Sequence, residues 1–267
     1  MINLNTESNS SLLQQVQQKQ ESIFEKLASG KKVNSAADGA AAQQIIDRLT
    51  TQVEGNRQSV ANAYDGVSLT QVAEGGLSGI NDDVSRIREL SVQAGNGILS
   101  DSDRQAIQAE VTQLQENISQ TIEQTEFGGQ SLLTNNDSIE FQVGANAGQK
   151  IGVATQDVAA SLTDVLNVDL STAQGAEEAL AVADEAAEFV GAARADLGAT
   201  QNQFESAARN LTQSNVNIAA ARSRIQDTDY AQATADSAAA NILGQASTSV
   251  QAQANQQQGQ VLSLLNG

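Results

Sequence analysis

The feature of this sequence that most constrains its fold is a repeat of six large apolar residues at seven-residue spacing in the second half of the chain. They are Val190, Leu197, Phe204, Leu211, Ile218 and Ile225. The seam positions between them hold small residues: Ala193, Thr200, Ala207, Ser214 and Ala221. Sustained heptads of this kind predict a coiled-coil seam, in which small residues let the neighbouring helix approach closely. A helix over 173–226 would be roughly 80 Å long at 1.5 Å per residue, so we predict a mainly α, rod-like bundle.

The composition agrees with long helices packed through aliphatic seams. The chain contains no Pro, which costs roughly 3 kcal/mol inside a helix, and its 267 residues include only two Tyr and five Phe. It also lacks Cys and His, which excludes disulfides, thiolate metal sites and the commonest general base. We therefore expect no enzyme, no metal site and no cofactor.

The net charge limits the classes of partner that we expect, and the first residues show whether a standard secretory signal is present. Nucleic acids and anionic membranes attract clustered Lys and Arg, whereas the net charge here is −18, so we expect neither as a partner. No stretch approaches the ~20 apolar residues that a transmembrane helix needs. The start, MINLNTESNSSLL, has neither the basic region nor the apolar core of a standard secretory signal.

The first half of the chain predicts two further long helices. Residues 57–94 have apolar side chains at helical spacing, with Ser91 filling one step, and GNG at 95–97 ends them. At 102–105, SDRQ predicts a capping box in which Ser102 accepts a hydrogen bond from the backbone of Gln105. The next helix continues the pattern with Ile107, Val111, Leu114, Ile118 and Ile122.

Three shorter segments punctuate these helices. Residues 28–39 contain Gly and Asn and predict a connector. Alternating apolar residues within 139–153 predict a small β-hairpin whose turn is the five-residue GANAG. At 227–230, DTDY supplies capping side chains that end one helix and begin another.

Both chain ends predict amphipathic helices that pair and still leave apolar surface uncovered. No charged residue follows Asp236, and seven Gln lie between 245 and 260. Uncharged polar faces suit a place where several chains pack, since buried charges are costly. Contacts between copies that do not close produce filaments. The predicted self-assembly residues are Leu12, Leu13, Val16, Ile23, Phe24, Leu27, Ile242, Leu243, Val250, Val261, Leu262, Leu264 and Leu265.

The sequence closely resembles the bacterial flagellin family in ordered blocks that cover most of the chain. The N-terminal blocks include LASGKKVNSAADGAAAQQIIDRL (27–49) and ANAYDGVSLTQVAEGGLSGINDDVSRIRELSVQAGNG (61–97). The C-terminal blocks include IAAARSRIQDTDYA (218–231) and ILGQASTSVQAQANQQQGQVLSLL (242–265). Only about 50 residues separate the two halves, so the variable outer domains of longer family members look absent.

The resemblance implies a domain organisation and a cellular role. It implies an inner domain of 1–42 with 231–267, a connector at 43–56, and a rod domain of 57–230 whose hairpin and variable region is 130–172. It also implies polymerisation into the extracellular flagellar filament and export by the flagellar type III apparatus. The implied partners are copies of the chain itself, an export chaperone, hook–filament junction proteins and cap proteins.

The resemblance further implies recognition of the monomer by Toll-like receptor 5, through Arg86, Leu90 and Glu110. The alternative for these three positions is contact between neighbouring subunits. We also expect exposed glycan acceptors at Ser161, Thr163, Ser171 and Thr172. For the whole chain, the alternative function is a coiled-coil signalling rod of the chemoreceptor type, although the predicted hairpin and the lack of an apolar span argue against it.

Overall fold

The computed structural model describes the backbone of residues 2–265 and the side chains of residues 11–257 and 259–260. It confirms a mainly α fold with paired long helices and small antiparallel hairpins. Two compact units are present: one is Glu54–Asn215, and the other joins the chain up to Val53 with the chain from Val216. The elements are α1 Ile2–Ser29, α2 Ala36–Ala94, α3 Asp101–Gln124, β1 Glu126–Phe127, β2 Gln130–Ser131, β3 Ser138–Gln142, β4 Lys150–Ala154, α4 Val158–Ser161, α5 Thr163–Leu166, α6 Ala173–Gln226 and α7 Tyr230–Leu265.

Helix α6 has the bounds that the heptad repeat predicts. Val190, Leu197 and Phe204 are buried, whereas the later heptad residues Leu211, Ile218 and Ile225 are half-buried. The buried face also extends further towards the N-terminus than the large apolar residues indicate. It continues there through small residues alone, namely Ala176, Ala179, Ala183 and Ala186.

Helix α2 begins earlier than its apolar pattern predicts, so the connector is shorter than 28–39. Helix α2 includes residues 43–56, and its backbone leaves helical geometry only at Gly39 (φ 161°, ψ 95°). Just before that point, the Asp38 carboxylate accepts hydrogen bonds from the backbone N–H groups of Asn34 (3.0 Å) and Ser35 (2.9 Å). The backbone bond from Ser35, followed by that from Asn34, lowers the pKa of Asp38.

The start of α3 corrects the predicted cap by two residues. The N-cap is Ser100, not Ser102: its hydroxyl accepts from the Asp103 backbone N–H (3.3 Å), and the Asp103 carboxylate accepts from the Ser100 backbone N–H (3.0 Å). The prediction required Glu or Gln at the third helical position, whereas Asp103 performs the same reciprocal bonding. The hydrogen bond from the Ser100 hydroxyl is the main cause of the lowered pKa of Asp103.

The predicted hairpin is confirmed as β3 and β4. Ile139 pairs with Val153 and Phe141 with Ile151, and the turn at 144–148 is closed by a hydrogen bond from Val143 N to Gln149 O (2.8 Å). The sequence did not predict the smaller hairpin β1–β2 or the one-turn helices α4 and α5. The β1–β2 turn is formed by two successive glycines at positive φ, Gly128 and Gly129.

The core of the Glu54–Asn215 unit collects apolar side chains from α2, α3, α6 and the hairpins. Phe204 lies fully buried within it, with its ring edge-on to Phe141 at a centroid distance of 5.4 Å. Gly66 makes room for that ring, because a Cβ at this position would lie 2.5 Å from it. Polar contacts also tie the elements together, including the bond from Asn62 Nδ2 to the Gln142 carbonyl (2.9 Å).

Candidate assembly surface on the paired terminal helices

Helices α1 and α7 pair, as predicted; they run antiparallel, and a glycine lets them approach closely. The Gln20 amide donates to the Ala240 carbonyl (3.1 Å) and to Asn241 Oδ1 (3.0 Å). One turn further on, Gly244 faces Val16 and Gln20, and a Cβ there would lie 3.2 Å from Gln20 Nε2. The inner stripe of the pair therefore contains buried Val16 and Ile23 from α1, with Ala233 and Ala240 from α7.

Hydrogen bonds between the segment that follows α1 and the junction of α6 with α7 form a clasp at one end of this helix pair. Gln226 O accepts from the backbone N–H groups of Lys32 (2.6 Å) and Val33 (3.3 Å), and Gly30 O accepts from Thr228 N (3.0 Å). The Tyr230 hydroxyl then donates to the Leu27 carbonyl (3.1 Å). The sequence did not predict this clasp. Its one sequence signal is Gly30, which adopts a positive φ of 68° there.

The outer faces of both helices expose large apolar side chains. Leu12, Phe24, Ile242, Leu243 and Val250 are between 47% and 69% exposed. Leu13 and Leu27 are half-buried, whereas Val16 and Ile23 already pack within the pair. The remaining predicted self-assembly residues lie outside the side chains that the structure describes; they are Val261, Leu262, Leu264 and Leu265.

The polar residues that line the groove around Leu13 are amides and hydroxyls, whereas Phe24 lies beside the charged residue Glu21. A groove between α1 and α7 is lined by Gln17, Gln20, Asn241, Gln245 and Thr248, together with Leu13 and Val16. Amides can leave water at moderate cost when they find hydrogen-bonding partners, whereas an unpaired charge cannot. The surface is therefore suited to burial against further protein.

The three predicted receptor-contact residues separate into an exposed pair and a core residue. Arg86 Nη2 and Nε donate to Glu110 Oε1 (2.7 and 2.9 Å), and Arg86 Nη1 contacts Glu89 (3.0 Å). The hydrogen bond to Glu110 is the main cause of the raised pKa of Arg86. Leu90, by contrast, is 2% exposed and belongs to the apolar core, so it presents no surface for a direct contact.

The four predicted glycan acceptors lie around α4, α5 and the start of α6. Ser161, Thr163 and Thr172 are exposed, and Ser171 is half-buried. The Ser161 hydroxyl donates to the Asp157 carbonyl (2.9 Å), and the Thr172 hydroxyl accepts from Gly175 N (3.0 Å). The Ser161 and Thr172 hydroxyls therefore each already have a local backbone partner.

Two negative findings apply to the part of the chain that the structure describes. No three Asp or Glu side chains there come together in a way that could hold a metal ion. None of the helices in that part has the length and apolarity needed to cross a membrane.

The closed helical core and the open helix pair define a class of protein: a mainly helical chain whose two ends pair and carry an exposed apolar surface. Family models place it more narrowly. The bacterial flagellin N-terminal helical region matches residues 2–138, and the bacterial flagellin C-terminal helical region matches residues 180–265. The chain belongs to the bacterial flagellin family, whose members are structural proteins.

Individual relatives agree with this assignment. A flagellin of Halalkalibacterium halodurans is 38% identical, over 91% of this chain and 90% of its own length. The flagellar filament 30.7 kDa core protein of Treponema maltophilum is 37% identical, over 91% of both chains. The crystal structure of Bacillus cereus flagellin has a TM-score of 0.53 at 28% identity, covering 61% of this chain and 94% of that one. These matches give no support to the signalling-rod alternative.

Proposed function

We propose that this chain is the structural subunit of a bacterial flagellar filament and that it polymerises through the outer faces of α1 and α7. The observation that carries the proposal is the exposure of Leu12, Phe24, Ile242, Leu243 and Val250 on the paired terminal helices. The groove between these two helices adds amides and hydroxyls that further protein could cover. Burying one such side chain fully contributes about 1.5–3 kcal/mol. Several per subunit add up to a gross stabilisation that opposes the entropy cost of ordering the helices.

The proposed domains are an inner domain of 1–42 with 231–267, a connector at 43–56 and a rod domain of 57–230 containing the variable region 130–172. The division into compact units near Val53 and Val216 supports a separate role for the two chain ends. In this proposal the Glu54–Asn215 core is already formed in the monomer. Neighbouring copies then cover the terminal helices.

Electron microscopy and sedimentation of purified protein test the proposal. Soluble monomer, seeded and taken through a range of salt concentrations, should yield filaments. Ile242→Gln should prevent polymerisation because it places an amide where the proposed interface needs apolar surface. Ile242→Leu is the matched control: it preserves the apolar area and should still polymerise. Unseeded and seeded samples that both remain monomeric would contradict the proposal, as would normal filaments of Ile242→Gln.

The same role implies a route and a set of partners. We propose that the chain is exported without a cleaved secretory signal through the flagellar type III apparatus and resides in the extracellular filament. Its proposed partners besides itself are an export chaperone, hook–filament junction proteins and cap proteins. Mass spectrometry of filaments sheared from cells tests the route, because an uncleaved chain retains the peptide that precedes Lys19.

We propose in addition that the soluble monomer activates Toll-like receptor 5 through the surface that carries Arg86 and Glu110. Arg86→Ala should weaken signalling directly, and Leu90→Ala should weaken it by loosening the core beneath that surface. Arg88→Ala is a matched control, because Arg88 lies two residues away, is 49% exposed against 48% for Arg86, and pairs with Asp184 instead. Unchanged receptor signalling by Arg86→Ala and Leu90→Ala would remove this proposal and leave the filament proposal intact.

Glycosylation at Ser161, Thr163, Ser171 and Thr172 is also a proposal. Its support is the exposure of three of the four hydroxyls. Intact-mass measurement of protein from its native source should show added sugar, and replacing all four residues by Ala should remove it. An unmodified native mass would contradict this proposal.

A further inference from the structure

The loop between α2 and α3 contains an Asn–Gly pair in an exposed position. Asn96, Gly97 and Ile98 are all exposed. The chain has one other Asn–Gly pair, Asn266–Gly267, which lies outside the described residues. Asn–Gly is the most permissive sequence for attack of a backbone nitrogen on the preceding side chain, because glycine has no Cβ to obstruct the approach.

The loop holds the Asn96 side chain against the backbone that follows it. Asn96 Oδ1 accepts from the backbone N–H of Ile98 (3.3 Å), an Asx turn that folds the side-chain amide along its own following peptide. The Asn96 carbonyl meanwhile accepts from Leu99 N (3.2 Å), which closes a tight turn around Gly97. Nothing lies within 4 Å of the position of a Cβ at Gly97, so the space beside its Cα is open.

A buried arginine donates to the main-chain carbonyl of the same asparagine. Arg104 Nη2 donates to Asn96 O (3.1 Å), while Nε and Nη1 donate to Ala94 O (3.0 Å) and Leu99 O (2.9 Å). The nearest carboxylate is Asp101 at 3.7 Å, and its side chain is 95% exposed. The guanidinium therefore uses its hydrogen bonds on neutral carbonyls, one of which belongs to the Asn–Gly pair.

We propose that Asn96 is a site of spontaneous deamidation and that Arg104 directs the product towards isoaspartate. Gly97 N attacks Asn96 Cγ, the new N–Cγ bond closes a succinimide, and the Cγ–Nδ2 bond breaks as ammonia leaves with the Gly97 amide proton. Water then opens the ring at one of its two carbonyls. Opening at Cγ gives aspartate, whereas opening at the main-chain carbonyl gives isoaspartate, in which the chain continues through Cγ.

Arg104 favours the second opening for an electrostatic reason. A guanidinium that donates to the main-chain carbonyl stabilises the negative charge that develops on that oxygen when water adds to it. The isoaspartate product also leaves a free carboxylate at the former carbonyl, beside a buried cation whose three hydrogen bonds go to neutral carbonyls. Such a charge-assisted hydrogen bond is roughly twice as strong as the neutral one it replaces. The modification therefore turns a carbonyl acceptor into an ion-pair partner within the α2–α3 turn.

The test is peptide mapping of full-length protein aged in mildly alkaline buffer. Trypsin releases residues 89–104 separately from the C-terminal fragment that begins at residue 225, so the two Asn–Gly pairs are measured independently. We expect the 89–104 peptide to gain about 1 Da and to label with protein isoaspartyl methyltransferase. Gly97→Ala, which meets no neighbour, should fold normally and lose ammonia roughly tenfold more slowly.

The role of Arg104 is tested by the ratio of isoaspartate to aspartate at position 96. The folded chain should give a ratio at least about twofold above that of the same chain aged in urea, where the guanidinium no longer lies beside the carbonyl. Arg104→Lys should lower the folded ratio; if this variant does not fold, the comparison with urea decides. Equal ratios in folded and unfolded chain would overturn the role of Arg104. An unchanged mass at 89–104, while Asn266 deamidates, would overturn the site itself.

Discussion

The two compact units use similar apolar stripes but differ in how many elements cover them. In the Glu54–Asn215 unit, the stripe of α2 is covered by α3, α6 and the hairpins, and its large side chains are buried. In the other unit, α1 and α7 cover each other on one side, and the outer half of each stripe is open. An amphipathic helix thus becomes core or docking surface according to what surrounds it, because its apolar width exceeds what one neighbour can cover.

Two phenylalanines, one in each unit, test the difference between the closed core and the open helix pair most directly. Phe204 is fully buried and Phe24 is 66% exposed. Phe204→Ala should lower the free energy of unfolding by about 3–5 kcal/mol, since it leaves a cavity in a closed core. Phe24→Ala should change monomer stability by less than about 0.5 kcal/mol but weaken polymerisation. Urea denaturation and sedimentation measure the two effects, and equal stability losses would contradict the contrast.

Two glycines of α2 test how tightly the closed core is packed. Gly66→Ala should cost about 1–3 kcal/mol, because its Cβ would lie 2.5 Å from the Phe204 ring and force the core apart. Gly75→Ala is the matched change in the same helix: its Cβ meets nothing within 4 Å. It should stabilise the protein by about 0.5–1 kcal/mol through helix propensity. Thermal melts of both variants test the prediction, and a stable Gly66→Ala would show that the packing there is loose.

The clasp of the open unit should contribute less than the closed core. Tyr230→Phe removes the hydroxyl that donates to Leu27 O and should cost about 0.5–1.5 kcal/mol. Because the loss is local, hydrogen exchange should quicken in α1 and α7 and stay unchanged in α3. Tyr64→Phe provides the control, since that tyrosine is exposed on α2. Equal exchange in Tyr230→Phe and the parent protein would show that this hydrogen bond does not stabilise the helix pair.

Acid should lower the stability of both units, and we expect this effect to be the smallest of the four predicted here. Asp38 and Asp103, one in each unit, accept backbone hydrogen bonds at helix starts, and both have a lowered pKa in the folded state. Their stabilisation is therefore present above the unfolded value of about 3.9 and is lost as pH falls below it. Asp38→Asn and Asp103→Asn should flatten this loss in pH-dependent melts, because the Asn side-chain oxygen can still accept a hydrogen bond but does not titrate. An unaltered pH profile in both would contradict the assignment.

Much of the fold could be predicted from sequence because it depends on periodicity. The heptads define α6, and the stripe of Leu77, Ile80, Val84 and Ile87 gives the buried face of α2. The alternation at 139–153 gives β3 and β4. Each pattern repeats often enough to outweigh local ambiguity. On the site, the exposure of Phe24 and Ile242 agrees with the prediction of an unfinished terminal pair.

The features that the sequence did not predict depend on single contacts. The fully buried residues of α6 between 176 and 186 are all alanines, so no stripe of large residues marks this part of the seam. The choice of Ser100 over Ser102 as N-cap depends on where the preceding loop closes, which Arg104 fixes by donating to three carbonyls. The burial of Leu90 beside exposed Arg86 likewise follows from the tertiary packing of α2. Long-range hydrogen bonds such as Tyr230 to Leu27 leave no periodic signal.

The antiparallel pairing of the two chain ends has a consequence for the order of folding. Gln20 and Asn241 are hydrogen-bonded although 221 positions separate them, whereas Arg86 and Glu110, which join α2 to α3, are 24 positions apart. Closing a longer loop costs more entropy, and non-local contacts form late. In a chain that is delivered from its N-terminus, α1 therefore cannot pair until α7 follows. The contacts between α1 and α7 form only after the residues that separate the two helices have been delivered.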